Sequence, residues 1–286
     1  MMTSTETHTL DLPGVTLTYD VRKAAETTEP PLLMFGSPMD ASGFATLAEY
    51  FPDRTVVTYD PRGAGRSKRT GGSIESTPDL HASDVYAVIS AVGGPVDIFA
   101  SSGGAVNALA LVAKHPSVVR TLVAHEPPAA QVLPDREEAL SAIADMRQTY
   151  ERDGFGAAMA KFIAITSLQG PIPADFGSGP MPSPADFGMP TEDDGSRDDV
   201  LFAQNLITCT HYEHDFEALS AAPTRIVLAV GEESEGTFAR RAGEGVAERL
   251  GLKPVIFPSH HGGFMGGEFG MAGQPEAFAG ALREVL

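Results

Sequence analysis

The chain has 286 residues, 42% of them hydrophobic, enough to bury a full core as one catalytic-sized domain with an insertion. Its 38 acidic residues against 20 basic ones give a formal net charge of -18, which argues against nucleic acid and anionic membrane surfaces as partners. The single cysteine, Cys209, excludes an internal disulfide and suits a reducing cytoplasm, and neither a secretory leader over Met1 to Leu10 nor an apolar run of about 18 residues is present, so a cytoplasmic protein is expected.

Periodicity alternates along the chain. Val15 to Val21 reads as an early strand, Pro31 to Phe35 and Thr55 to Tyr59 as buried strands, and Pro78 to Ala91 as a helix. Val96 to Ala100 is a further strand that stops at Ser101-Ser102-Gly103-Gly104, and a helix follows over Gly103 to Lys114. Val118 to Ala124 is the next strand. The rhythm is then interrupted: 135 to 167 is helical, 170 to 197 is dense in proline, glycine and aspartate, and 198 to 219 reads as another helix. Strands at Arg225 to Val230 and Lys253 to Phe257 bracket a helix around Thr237 to Leu250, and Pro275 to Leu286 closes the chain as a helix. Short apolar strands between helices predict an α/β fold with a mostly parallel sheet covered on both faces.

The domain organisation expected is a core in two parts, residues 1–127 and 221–286, with a helical cap over 128–220. Residues 128–220 hold 16 acidic and 5 basic residues, and an insertion placed there stands over the ends of the strands. Met159, Phe162, Ile163 and Phe202 are candidates for its inner face, although packing between cap helices accounts better for any one of them. The stretch from Gly177 to Asp194 has the least to bury and is expected to be mobile.

Ser102 carries the chemistry. A strand that breaks at a serine and turns at once into a helix exposes one hydroxyl at the strand tip, and the crowded corner requires small residues two before and two after, here Ala100 and Gly104. Ser101 lacks that spacing. The free N-H groups at the start of the following helix point at the same spot and can hold a developing oxyanion. A nucleophilic serine needs a base, and the strand ending at Phe257 delivers Ser259-His260-His261-Gly262-Gly263. His261, followed by glycines that allow close approach, is the candidate base, with His260 as the alternative. The orienting carboxylate has two candidates: Glu233, in the Gly231-Glu232-Glu233-Ser234-Glu235 turn after a strand, and Glu126, which follows His125 at the end of another. His211 and His214 lie three apart and with Glu217 could mimic a metal cluster, but the spacing of that third group is not convincing, and surface or packing roles describe them better.

Taken together, these motifs resemble the alpha/beta-hydrolase superfamily, its serine-nucleophile branch with a helical cap, from about Pro31 to the C-terminus apart from the cap. Ala100-Ser101-Ser102-Gly103-Gly104 resembles the family's nucleophile elbow. Leu33-Met34-Phe35-Gly36-Ser37-Pro38 is similar to its oxyanion loop with Phe35 in place of the usual histidine, and Tyr59-Asp60-Pro61-Arg62-Gly63-Ala64-Gly65-Arg66-Ser67 to a structural turn. The resemblance implies an alpha/beta-hydrolase fold, Ser102, His261 and Glu233 as a triad, and the backbone N-H groups of Ser37 and Gly103 as oxyanion donors. It also implies a carboxylesterase-like serine hydrolase acting on a small organic substrate with no cofactor and no metal. Amidases, lactonases and carbon-carbon bond hydrolases share this machinery, and a non-catalytic ligand-binding member of the fold is the reading from a different class. Nothing in the sequence fixes the oligomeric state, and a homodimer is compatible with it.

Overall fold

A computed structural model describes residues 5–177, 179 and 181–286. Its centre is a sheet whose strands, in spatial order, are β1 (Thr5–Leu12), β2 (Val15–Arg22), β4 (Val56–Asp60), β3 (Leu32–Phe35), β6 (Val96–Ser101), β7 (Val119–His125), β8 (Arg225–Gly231) and β9 (Val255–Phe257), with the short β5 (Lys68–Arg69) paired to β2. β1 and β2 form an antiparallel hairpin and β2 runs antiparallel to β4, whereas every pairing from β4 through β9 is parallel. Parallel strands covered on both faces need apolar residues at nearly every position, and all residues of β3 and β6 are buried.

The side-chain alternation of strands divides the core into two layers. Leu33, Phe35, Ile98 and Ala100 point to a layer closed by α2 (Pro78–Val92), α3 (Gly103–Lys114) and α8 (Phe238–Arg249). Leu32, Met34 and Phe99 point to the other, closed by α1 (Ala45–Glu49) and α9 (Pro275–Val285). α2 begins and ends where the sequence sets it: Thr77 accepts the N-H of Leu80, Pro78 occupies the first turn, and Gly93 stops the helix in a left-handed conformation.

Between β7 and β8 the chain leaves the sheet for an extra set of helices. α4 (Arg136–Asp153) and α5 (Phe155–Ser167) replace the single helical stretch expected over 135 to 167, because Gly154 at φ 85° turns the chain between them. The helix expected over 198 to 219 is likewise three pieces, a π-helical Val200–Asn205, α6 (Leu206–Thr210) and α7 (Phe216–Ala221). Asp215 accepts the N-H of Ala218 and starts α7 afresh, so a side-chain cap overrides the apolar spacing. Of the proline-rich stretch from Gly177 to Asp194, Ser178 and Pro180 lie outside the described residues; Pro184–Phe187 forms a 3-10 turn. β1 is the strand that hydropathy does not signal. Its alternating Thr5-Glu6-Thr7-His8 sits on the sheet edge, half exposed, where few apolar residues are needed.

The extra helices are tied to the core by polar contacts. Asn205 Oδ1 lies 2.7 Å from His81 Nε2 of α2, and Gln204 Oε1 accepts from Arg69 Nε at 2.8 Å. His81, His125 and His214 are all buried, and burial drives each imidazole pKa down to about 4, against an upward pull from Asn205 on His81 and from Glu126 on His125. These imidazoles are neutral when folded and titrate near pH 6.5 when unfolded, so their contribution to stability is fully present above pH 6.5 and is lost as pH falls towards 4. Unfolding between those limits is expected to take up about three protons more than the native state holds, read as a denaturation midpoint that falls steeply with pH. A midpoint flat from about pH 7 to 4.5 would contradict it.

Candidate active site

Ser102 stands at the tip of β6, where the strand passes into α3. Its backbone is at φ 58°, ψ -130°, a conformation L-residues rarely hold and one that costs about 1–3 kcal/mol. The surroundings hold it there: its N-H donates to the carbonyl of His125 at 2.9 Å and its carbonyl accepts from Ala105 at 2.9 Å. The hydroxyl serves no cap on α3 and the side chain is only half buried. Ser101 next to it is buried, with Oγ 3.0 Å from His125 Nδ1, which separates the two serines.

The small residues around the elbow have a geometric reason. A Cβ on Gly104 would stand 2.8 Å from the Cα of Gly36, and one on Gly103 would stand 2.5 Å from the Ser37 carbonyl oxygen and 3.2 Å from Cys209 Sγ. The first turn of α3 therefore rests on the loop after β3, and Ser37 is buried against it. The backbone N-H of Gly103 is one of the donors that a helix start leaves without an intrahelical partner. Asp60, at the end of β4, fixes the same loop by accepting the N-H of Ala41 at 3.0 Å, and it also accepts the N-H and Nε of Arg66 at 2.7 and 2.8 Å. Ser67 Oγ donates to the Asp60 carbonyl at 2.6 Å and accepts the N-H of Thr18. The Asp60-to-Ser67 turn thus braces the loop after β3 against the sheet. Phe35 ends β3 within the core, its ring 5.3 Å from that of Tyr59.

The imidazole of His261 meets Glu126, with Nδ1 2.5 Å from Oε2. Glu126 Oε1 accepts the backbone N-H of Gly231 at 2.8 Å, so both carboxylate oxygens are engaged and the group is fully buried. Burial alone would raise its pKa, but the His261 bond, the neighbouring imidazoles and the Gly231 amide outweigh it and hold the carboxyl at about 2. Glu233, expected to face the base, does not. It lies exposed on the 3-10 turn Glu232–Ser234, where its side chain accepts from Gln274 Nε2 at 3.2 Å. The reason is the turn itself: the Glu233 N-H is bound to the Ser259 carbonyl, which points the side chain outward, and the strand end gives Glu126 a backbone donor instead of giving His261 a carboxylate.

Strand register explains how Glu126 reaches the site. β6 and β7 are parallel neighbours with Ser101 opposite His125, so the first residues beyond both strands, Ser102 and Glu126, stand side by side. Glu126 also has a positive φ, 47°, as does Ser259 at 70° beyond β9. Three of the four non-glycine residues with positive φ among the described residues thus lie just beyond the carboxyl ends of strands of the parallel sheet, where strained backbone marks sites that aim side chains. The equal offset of Ser102 and Glu126 past their strands is the signal in the sequence that favours Glu126.

His260 faces away from this group. Its Nδ1 accepts the N-H of Gly262 at 3.0 Å and its Nε2 lies 3.3 Å from the Ala272 carbonyl, both loop contacts. His211 and His214 are not on one helix face: they fall in the break between α6 and α7, and the His214 ring packs edge-on against Tyr212 and Phe216. Among the described residues no group of three or more His, Cys, Asp or Glu side chains is arranged to hold a metal ion, and no helix is long and apolar enough to cross a membrane. Phe202 is buried inside the extra helices, stacked on Tyr150 at 5.4 Å, with Phe162 edge-on to it at 6.3 Å, so packing accounts for it.

Comparison with known proteins agrees with this architecture. The family described as alpha/beta hydrolase fold matches residues 31–168. An uncharacterized hydrolase of Bacillus subtilis, YraK, is 28% identical over 264 residues, 90% of this chain and 89% of that one. A thermophilic esterase from Thermogutta terrifontis superposes with a TM-score of 0.68 at 20% identity, covering 98% of this chain and 97% of that one. The enol-lactonase from Burkholderia xenovorans LB400 superposes with a TM-score of 0.65 at 16% identity, covering 97% and 99%.

Proposed function

We propose that this chain, whose residues 31–168 match the family described as alpha/beta hydrolase fold, is a serine hydrolase that cleaves carboxylic esters of small organic molecules through an acyl-enzyme. The observation that carries the reading is the His261–Glu126 pair, whose Glu126 stands one residue beyond β7 as Ser102 stands one residue beyond the neighbouring β6. In this reading Glu126 replaces Glu233 as the orienting acid. His261 Nδ1-H donates to the carboxylate, which leaves Nε2 as the acceptor for the Ser102 proton. Ser102 Oγ attacks the ester carbonyl, and the N-H groups of Gly103 and Ser37 stabilise the oxyanion. His261 returns the proton to the departing alcohol. Water, deprotonated by the same imidazole, then attacks the acyl-enzyme and releases the acid.

Residues 128–220 act as the cap that selects the acyl and alcohol groups. Hydrolysis of p-nitrophenyl acetate through octanoate, with covalent labelling by a fluorophosphonate, tests the proposal. Labelling at Ser102 with a preference along the acyl series is the expected result. Folded protein that neither labels nor turns over any of these esters would overturn it.

A further inference from the structure

Packing does not account for His125. The residue closes β7, is fully buried, and has the rings of Phe99, Phe257, Phe264 and Phe278 around it at centroid distances from 5.3 to 6.4 Å. A phenyl ring would complete such a box without the cost of desolvating two ring nitrogens, and Nε2 has no hydrogen-bond partner among the described residues. What the imidazole adds is specific. Its Nδ1 lies 3.0 Å from the hydroxyl of Ser101, the residue before the candidate nucleophile. Its face lies 5.8 Å from the ring of His261, with the planes 26° apart. Its own carbonyl accepts the Ser102 N-H, and the next residue in the chain is Glu126.

Resting on the serine-hydrolase reading, we propose that His125 is a positioning residue whose imidazole couples the nucleophile strand, through Ser101, to the general base, through the face it lays against His261. The Ser101 contact stiffens the corner where Ser102 holds its strained backbone. The stacked face keeps the His261 ring in line with Glu126. The titratable groups that face His125 are Glu126, from the end of its own strand, and His261, from the loop after β9; β6, β9, the loop after β9 and α9 otherwise present Ser101 and phenylalanines. Burial keeps His125 neutral until pH falls to about 4, so it does not repel the imidazolium that forms on His261 during turnover.

Two variants separate the arms. His125→Phe keeps the ring and removes Nδ1, whereas His125→Asn keeps a polar atom at the reach of Nδ1 and removes the ring. Fluorophosphonate labelling rates and kcat and KM for p-nitrophenyl acetate are measured on both, on Ser101→Ala, on Ser101→Ala/His125→Phe and on wild type, with circular dichroism to verify folding. His125→Phe and Ser101→Ala are each expected to slow labelling and kcat about tenfold with KM changed less than about twofold, and the double variant to be no slower than the slower single one. His125→Asn is expected to lower kcat about tenfold with KM changed less than about twofold, because without the ring laid against it the His261 imidazole is no longer kept in line with Glu126. Ser101→Ala, which removes one oxygen, decides the Ser101 arm even if a His125 variant does not fold. Folded variants that lose stability yet keep wild-type labelling and kcat would overturn the assignment. Wild type that neither labels nor hydrolyses any ester overturns the serine-hydrolase reading and the assignment with it.

Discussion

Ser102→Ala is expected to lower kcat/KM for p-nitrophenyl esters by roughly 10⁴- to 10⁶-fold and to abolish fluorophosphonate labelling, because loss of the nucleophile leaves only binding and oxyanion stabilisation. The same substitution should leave stability almost unchanged. The Ser102 hydroxyl caps no helix and the side chain is half exposed, so truncation opens no cavity and strands no buried group. The strain at φ 58° belongs to the backbone, and alanine inherits it. Ser102→Gly removes that strain and is expected to raise stability by about 1 kcal/mol while being equally inactive. An inactive glycine variant more stable than wild type would show that the fold spends stability to aim this hydroxyl. Ser101→Gly is no equivalent control, since Ser101 is buried and bonded to His125. Retention of labelling in Ser102→Ala would move the nucleophile elsewhere.

Local sequence determines some parts of the candidate site, and those parts are legible in the order of residues alone. The nucleophile corner is one, because the backbone at Ser102 forces small neighbours: Gly104 touches Gly36 and Gly103 touches Ser37, and that crowding is visible as a Ser-Gly-Gly spelling at a strand end. The loop that carries His261 is another, since its histidines between a strand end and two glycines mark it, while loop bonds such as Gly262 N-H to His260 decide which of the two meets the carboxylate. The carboxylate is not legible in the same way. Glu126 and Glu233 both follow strands that end near the site, and the choice depends on which side chain turns inward, a matter of backbone bonds between distant segments such as Glu233 N-H to Ser259 and Gly231 N-H to Glu126. β1 escapes for a different reason, as a half-exposed edge strand needs no apolar alternation strong enough to read. The extra helices are legible as helical but not in their breaks, which Gly154 and the Asp215 cap impose.

The choice between the two glutamates gives the second large effect. Glu126→Gln is expected to lower kcat/KM by roughly 10³- to 10⁴-fold, and the bonding around the carboxylate says why. Oε1 accepts the Gly231 N-H, so the glutamine must place its oxygen there and turn its amide NH2 towards His261 Nδ1. That amide can only donate. Nδ1 then becomes the acceptor, the ring proton moves to Nε2, and Nε2 can no longer take the proton of Ser102. Because the variant is nearly isosteric and keeps the Gly231 bond, the loss should fall on kcat with little change in KM. Glu233→Gln is expected to retain activity within about twofold, since its side chain is exposed and its one bond is to Gln274. Glu126→Ala separates the electrostatic part from the tautomer: it frees Nδ1 to keep its proton with water as partner, and should be less damaging to kcat than Glu126→Gln although more damaging to stability, because the Gly231 amide loses its acceptor. The reverse pattern, a silent Glu126→Gln and an inactive Glu233→Gln, would mean that the loop after β8 rearranges during turnover and that Glu233 is the working acid.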